Sequence, residues 1–192
     1  MCFCSLTHNI SRDQPIKIND PTAVIRMVYV DNVIDNFMIL LKSFSLSDSN
    51  KKLTYVKVKP EYQITVGELA NQMRRFKASR DNLITESVGI GFIRALYATY
   101  ISYLPPENFT YSLVQNKDAR GKFVEIFKTI NAGQFSFFTA HPGITRGGHY
   151  HHSKTEKFLV VKGKACFKFR NILTGEFYEV YTSEEKSEII EM

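Results

Sequence analysis

The chain has 192 residues, 44% hydrophobic and 23% charged, so it can fold as one domain with a sizeable core or as two small ones. Its net charge of +6 is spread along the chain, without a polybasic tail or a basic stretch interleaved with aromatic residues. This argues against nucleic-acid binding and suits a small anionic ligand. Three cysteines are too few for a disulfide framework, and no apolar run approaches a membrane span. No signal peptide is recognisable, so we expect a cytoplasmic protein without membrane insertion.

The first third of the chain mixes short strands with helices. Residues 6–10 resemble the end of a helix, and strands are predicted at residues 15–19 and 25–30. Residues 30–41 then have helical spacing. The apolar positions of this helix form one stripe: Val33, Ile34, Phe37, Leu40 and Leu41.

A capping box opens the next predicted helix. Residues 52–59 alternate in the manner of a strand, and the spacing of Thr65 and Glu68 then allows each to satisfy the other's backbone N–H. A further apolar helix is predicted over residues 92–104, where two prolines stop it. The capped helix is expected to turn three residues inward: Leu69, Met73 and Phe76.

Two other motifs carry little functional weight. The Gly-Ile-Gly sequence at residues 89–91 has Arg94 at the third glycine position and no βαβ unit around it, which excludes a dinucleotide-binding loop. Cys2, Cys4 and His8 could be drawn as a metal site, but a single C-x-C pair favours free thiols.

From residue 107 onward, short alternating runs punctuated by turn residues replace the helices. This pattern of short alternating runs and turns predicts an antiparallel sandwich or barrel. The last residues, 189–192, read as an apolar strand at an open edge. Five further strands are predicted, over residues 123–129, 134–140, 156–161, 165–169 and 177–181.

A cluster of potential metal ligands lies in this half. His149 and His151 are two residues apart, so on a strand they would point to the same face. Glu156 begins the next alternating run, and pairing of the two strands would bring two imidazoles and one carboxylate together. That is a ligand set for a divalent metal. The fixed spacing Gly143-x5-His149-x-His151-x4-Glu156-x6-Gly163 is that of the first cupin motif.

The chain resembles, over nearly its whole length, the CapF-type bifunctional UDP-sugar epimerase–reductases of bacterial capsule synthesis. The resemblance to their cupin domain rests on GQFS at 133–136, FTAHPG at 138–143, TRG at 145–147, HYH at 149–151, KTEKFL at 154–159 and FKFR at 167–170. The resemblance to their extended short-chain dehydrogenase domain rests on HNI at 8–10, INDP at 18–21, VYVD at 28–31, VGELA at 66–70 and RALYATY at 94–100.

This resemblance implies a fold class. Residues 1–106 would form the α/β substrate-binding part of an extended short-chain dehydrogenase (SDR). Residues 107–192 would form part of an all-β cupin (jelly-roll) domain, and both would be incomplete. The glycine-rich cofactor loop and the Tyr-x-x-x-Lys pair would lie before Met1, and a third metal-binding histidine after Met192. Tyr55 and Lys59 have the right spacing for the pair but lie in a strand pattern.

The resemblance also implies an activity. Its members reduce a 4-keto UDP-sugar with NADPH and epimerise it at C3, giving UDP-N-acetyl-L-talosamine for UDP-N-acetyl-L-fucosamine. His149, His151 and Glu156 would bind zinc or another divalent metal, Arg26 would hold the substrate's diphosphate, and the protein would be a homodimer through the cupin. The NADP(H)-binding motif is absent from this chain.

Three questions stay open at this stage. The metal could polarise a sugar oxygen or only stabilise the barrel. The base for epimerisation could be Tyr150, Lys154 or Lys157. Finally, the chain could be a non-catalytic or inactive binding and dimerisation module rather than part of an active enzyme, and an iron-dependent dioxygenase would use the same ligand types.

Overall fold

The computed structural model describes residues 3–43 and 55–192. It divides into two compact units, Met1–Thr145 and Arg146–Met192, which are treated separately below. The predicted domain division between residues 106 and 107 stays a prediction. None of the helices in the described part of the chain is long and apolar enough to cross a membrane.

The described residues of the first unit form four α-helices, one 3-10 turn and two small antiparallel sheets. Its helices are α1 (Phe3–Ser11), α2 (Val30–Ser43), α3 (Val66–Asn82) and α4 (Gly91–Ser102), with the 3-10 turn at Pro106–Asn108. One sheet pairs β1 (Val24–Met27) with β2 (Tyr62–Thr65). The other has the order β3 (Asn116–Asp118), β4 (Gly121–Lys128) and β5 (Gln134–Phe138).

Helices α1, α3 and α4 enclose the hydrophobic core of this unit. The three inward positions predicted for α3 are all buried, and Phe76 contacts Tyr97 edge-on with 5.1 Å between ring centroids. These side chains recur at helical spacing, which is why one face of each helix can be buried. The buried apolar cluster comprises Leu6, Ile10, Leu69, Ala70, Met73, Phe76, Leu96, Tyr100 and Leu104.

The predicted capping box begins α3. The Thr65 hydroxyl accepts a hydrogen bond from the Glu68 N–H at 3.2 Å, and the Thr65 N–H donates to the Glu68 carboxylate at 3.1 Å. These bonds satisfy two backbone groups that a helix end leaves unpaired. The hydrogen bonds from Thr65 also lower the pKa of Glu68 below its usual value.

Three expectations for the first unit need correction. Residues 15–19 form no strand; Ile16 and Ile18 instead pack singly against the core, without a partner strand. Of the strand expected at 52–59, residues 52–54 lie outside the described part, and residues 55–59 run without pairing. The strand in this region begins after Pro60, at Tyr62.

Helix α2 is present, but its apolar stripe is not buried. Phe37 is 61% exposed and Leu41 is 68% exposed, and no residue of α2 is buried within the described chain. Periodicity therefore predicts the helix correctly but not its packing, because a stripe is buried only where another element covers it.

The sheet of β3, β4 and β5 is joined to the helical part through a short parallel bridge. The Lys128 N–H donates to the Leu83 carbonyl, and the Thr85 N–H donates to the Lys128 carbonyl, both at 2.8 Å. Gly121 starts β4 with a φ of +137°, and a Cβ there would lie 2.2 Å from the Thr139 carbonyl oxygen. Only glycine fits this close approach of two backbones.

The second unit consists of two antiparallel strand pairs. The strands β7 (Lys164–Arg170) and β8 (Phe177–Ser183) form a hairpin, and β6 (Lys157–Phe158) pairs with β9 (Ile190–Glu191). The rings of Phe158 and Phe167 connect the two pairs, with 5.4 Å between centroids.

One expectation for this unit also needs correction. The strand predicted over residues 156–161 is only two residues long. The predicted strand-like end is present as β9, which pairs with β6 on one side and forms an edge of this two-stranded sheet. The hairpin strands lie where the alternation predicts them. The closed jelly roll stays a prediction.

Candidate metal centre

The segment that carries the two histidines is not a strand, contrary to the sequence prediction. Residues 144–156 have no regular secondary structure. Gly147 and Gly148 precede the histidines with φ of +99° and +78°, values that an extended strand does not contain. The backbone turns at these two residues, so the histidines reach their positions from a loop.

The three predicted ligands nevertheless converge. The ligand atoms of His149, His151 and Glu156 all lie within 4.8 Å of one another. The imidazoles of His149 and His151 meet edge-on with 4.8 Å between centroids, and His151 Nε2 lies 3.5 Å from Glu156 Oε1. The side chains of His151 and Glu156 are 29% and 32% exposed, so the cluster is open to solvent on one side.

Two neighbouring side chains form a second contact. The rings of Tyr150 and His152 meet edge-on, with 5.0 Å between centroids. Rings two residues apart thus meet in both pairs, His149 with His151 and Tyr150 with His152, although no strand is formed.

Glu156 is held by β9. Its N–H donates to the Met192 carbonyl at 2.8 Å, and its own carbonyl accepts from the Met192 N–H at 3.0 Å. Sequence reasoning missed this pairing. The only signal for it was the apolar alternation of residues 189–192, which does not specify a partner strand.

Among the three candidate bases, Lys157 is already paired: its Nζ lies 3.2 Å from the carboxylate of Glu191. The Tyr150 ring contacts His152, a contact that does not involve its hydroxyl. Lys154 is exposed in the loop between His151 and Glu156.

Arg26, the residue expected to hold the diphosphate, lies on β1 in the first unit. Its side chain is 72% exposed, and its guanidinium forms an ion pair with Glu61, with Nε 3.7 Å from Oε1. Exposed ion pairs of this length contribute little stability. The guanidinium therefore has room to exchange its partner for an anionic ligand.

The cysteines do not add a second cluster in the described residues. Cys4 and Cys166 are free and exposed, His8 contacts Asn9, and Cys2 lies outside the described part. The preference for free thiols over a C-x-C metal site stays a prediction, because Cys2 is not among the described residues.

The chain is similar in sequence to a known bacterial protein over nearly its whole length. The chain is 57% identical over 189 residues to the UDP-2-acetamido-2,6-beta-L-arabino-hexul-4-ose reductase of Pseudomonas aeruginosa strain PA103, covering 98% of this chain and 49% of that protein. The predicted resemblance to the CapF-type proteins is confirmed. The chain spans about half the length of this curated relative.

Solved structures give the same result. The crystal structure of the capsular polysaccharide assembling protein CapF from Staphylococcus aureus matches with a TM-score of 0.89 and 33% identity, over 100% of this chain and 51% of that one. A structure of CapF with the inhibitor 3-isopropenyl-tropolone matches with a TM-score of 0.90 and 34% identity, over 99% of this chain and 55% of that one. Residues 116–192 match the polysaccharide biosynthesis C-terminal domain.

Proposed function

We propose that this chain contributes a metal centre and part of a sugar-nucleotide site to an epimerase–reductase acting on UDP-sugars. The observation that carries the proposal is the convergence of His149, His151 and Glu156 within 4.8 Å. The 57% identity to a protein named as a UDP-sugar reductase supports the substrate class. The proposed product is UDP-N-acetyl-L-talosamine, used for UDP-N-acetyl-L-fucosamine and for capsule or O-antigen synthesis in the cytoplasm.

The donor set suits zinc or another divalent metal. Two ligands of a tetrahedral zinc lie about 3.4 Å apart, given metal–ligand bonds of about 2.1 Å. The 3.5 Å between His151 Nε2 and Glu156 Oε1 already matches this separation. The remaining separations, at most 4.8 Å, need only side-chain rotation of about 1 Å to close on the ion.

Epimerisation next to a carbonyl requires removal of the α-proton and stabilisation of the resulting negative charge. A bound divalent metal would supply Lewis-acid stabilisation of that charge, or alternatively would only hold the loop in place. Tyr150 and Lys154 are the candidates for the proton transfer, because Lys157 already forms an ion pair with Glu191.

Arg26 would hold the substrate's diphosphate. A planar guanidinium can donate two parallel hydrogen bonds to phosphate oxygens, and the ion pair with Glu61 keeps it extended from β1. Hydride transfer from NADPH would need residues beyond those described here, since the chain has no glycine-rich cofactor loop among its motifs.

The decisive experiment measures bound metal. The purified chain is loaded with zinc, dialysed and analysed by atomic emission, together with His149→Ala and His152→Ala. We expect about one zinc per chain in the unsubstituted protein and in His152→Ala, since the His152 ring contacts Tyr150 and is not one of the three clustered ligands. His149→Ala should lose most of the metal, because two ligands rarely retain zinc. Equal metal content in all three would disprove the site.

A second candidate function is a non-catalytic binding or dimerisation module. Exposed apolar side chains on the second unit favour it, above all the neighbouring Ile172 and Leu173 at the hairpin tip, which are 66% and 91% exposed. Contiguous exposed apolar surface can mark an association site. Light scattering of metal-free protein tests this candidate. A stable dimer that binds no UDP supports the module, whereas a monomer argues against it.

A further inference from the structure

Strand β9 runs directly beside the proposed metal ligand Glu156. We infer that β9 and Met192 form part of the metal centre, by fixing the backbone from which the Glu156 carboxylate extends. This inference rests on the proposed metal binding. It goes beyond it by adding a positioning element that contains no metal ligand.

The backbone contact has the geometry of a hydrogen-bonded antiparallel pair. Glu156 and Met192 exchange both of their N–H···O=C bonds, at 2.8 Å and 3.0 Å. Lys157 and Glu191 are the next pair along the ladder, followed by Phe158 and Ile190. Since His149 and His151 come from a loop, Glu156 is the ligand of this cluster that a strand ladder holds in place.

The side chains on the two faces of this ladder differ in chemistry. Directly opposed residues of an antiparallel pair project to the same face, so Met192 lies beside Glu156, and Ile190 beside Phe158. Phe158 continues this apolar surface to Phe167, at 5.4 Å between centroids. The opposite face carries the exposed ion pair of Lys157 and Glu191. The face that carries the Glu156 side chain is thus apolar, and the backbone ladder itself fixes the position from which this side chain extends.

This arrangement couples metal binding to docking of β9. If pairing of β9 raises the affinity for the metal by a given factor, then bound metal must raise the equilibrium constant for pairing of β9 by the same factor. Groups that orient a ligand typically change metal affinity by about tenfold to a hundredfold when they are removed. An effect of this size is measurable without any enzyme assay.

The test compares zinc affinity in matched variants of the full chain, using a chromogenic chelator as competitor. Met192→Pro removes the N–H that donates to Glu156, whereas Met192→Ala keeps it. We expect Met192→Pro to raise the zinc Kd about tenfold. Met192→Ala and Glu191→Ala should stay within about twofold of the unsubstituted protein, because the backbone ladder is intact and an exposed ion pair contributes little.

A double-substitution cycle separates positioning from loss of folding. In a Glu156→Gln background, Met192→Pro should cost no further affinity, since the group that it positions is already absent. If Met192→Pro weakens zinc binding equally in both backgrounds, it acts through the fold as a whole and the inference is wrong. If Met192→Pro leaves affinity unchanged in an otherwise unsubstituted chain that binds zinc, only this inference fails. If that chain binds no zinc, the proposed metal centre fails as well.

Discussion

The two units of this chain are stabilised in different ways. In the first, three helices bury a continuous cluster that includes Leu69, Phe76 and Tyr100. In the second, all of whose residues are described, Thr182 is the single buried residue. Strand ladders, a few partly covered aromatic rings and ion pairs hold it together. A unit without a core has little hydrophobic stabilisation, so each directional contact has a larger share in its stability.

The difference matters for the proposed function, because the two proposed sites lie in different units. Arg26 projects from a strand of the unit that has a core, and its position does not depend on a ligand. The cluster of His149, His151 and Glu156 lies in the unit that lacks one. Bound metal can therefore be a structural element of the second unit as well as a reagent.

The largest expected effect comes from truncating the core. Phe76→Ala should destabilise the first unit by about 3–5 kcal/mol, because it opens a cavity between α3 and α4. The matched change in the second unit, Phe167→Ala, should cost only about 1–2 kcal/mol, because that ring is partly exposed already. Urea unfolding followed by circular dichroism measures both. Equal losses of stability in the two variants would contradict the inferred difference in packing between the two units.

Zinc should stabilise the second unit selectively. At a free concentration of about 100 times its Kd, a ligand that binds only the folded state adds about 2.7 kcal/mol. Hydrogen exchange followed by mass spectrometry should then show slower exchange in peptides that contain β6 and β9. Peptides from α3 should not change. Slowing in both units, or in His149→Ala as much as in the unsubstituted chain, would contradict a local metal effect.

Local sequence features predicted the structure best. The capping box needs only Thr65 and Glu68, which are three residues apart, and the inward positions of α3 follow from one helical period. The strands of the β7–β8 hairpin follow likewise from alternation and a short turn. In each case the interactions that decide the structure lie within a few residues along the chain.

Non-local pairing explains the errors. Residues 15–19 alternate but have no partner strand, and residues 189–192 have a partner that alternation alone does not specify. The ligand cluster was predicted through an incorrect intermediate step, a strand carrying His149 and His151. The residue types and spacing were sufficient to bring the side chains together, although Gly147 and Gly148 place them in a loop.

A smaller effect is expected from the start of α3. Thr65→Ala should reduce the stability of the first unit by about 1 kcal/mol, because the first turn loses its side-chain acceptor. Thr65→Ser keeps the hydroxyl and should be close to neutral. Because the hydrogen bonds of Thr65 lower the pKa of Glu68, Thr65→Ala should also raise that pKa, which a carboxylate NMR titration detects. An unchanged Glu68 pKa would argue against the box.

The pKa values of two tyrosines, one in each unit, show the same difference between burial and directional contacts. Burial chiefly raises the pKa of Tyr100 in the first unit above its usual value. On the exposed face of the second unit, the Tyr181 hydroxyl donates to Glu179 at 2.7 Å, and this bond, with a weaker contribution from Cys166, raises the pKa of Tyr181 to about 12. Hydrogen bonds from Lys168 and Tyr181 lower the pKa of Glu179. The pKa of Tyr100 is thus raised mainly by burial, and the pKa of Tyr181 mainly by its hydrogen bond to Glu179.

The pH dependence of the hairpin follows from these directions. The pKa of Tyr181 is higher in the folded than in the unfolded chain, so its hydrogen bond contributes fully below pH about 10 and is lost as the pH rises through about 12. Glu179→Gln should return the Tyr181 pKa towards 10, which phenolate absorbance measured against Tyr181→Phe would detect. A Tyr181 pKa that stays near 12 in Glu179→Gln would contradict the assignment of the shift to this hydrogen bond.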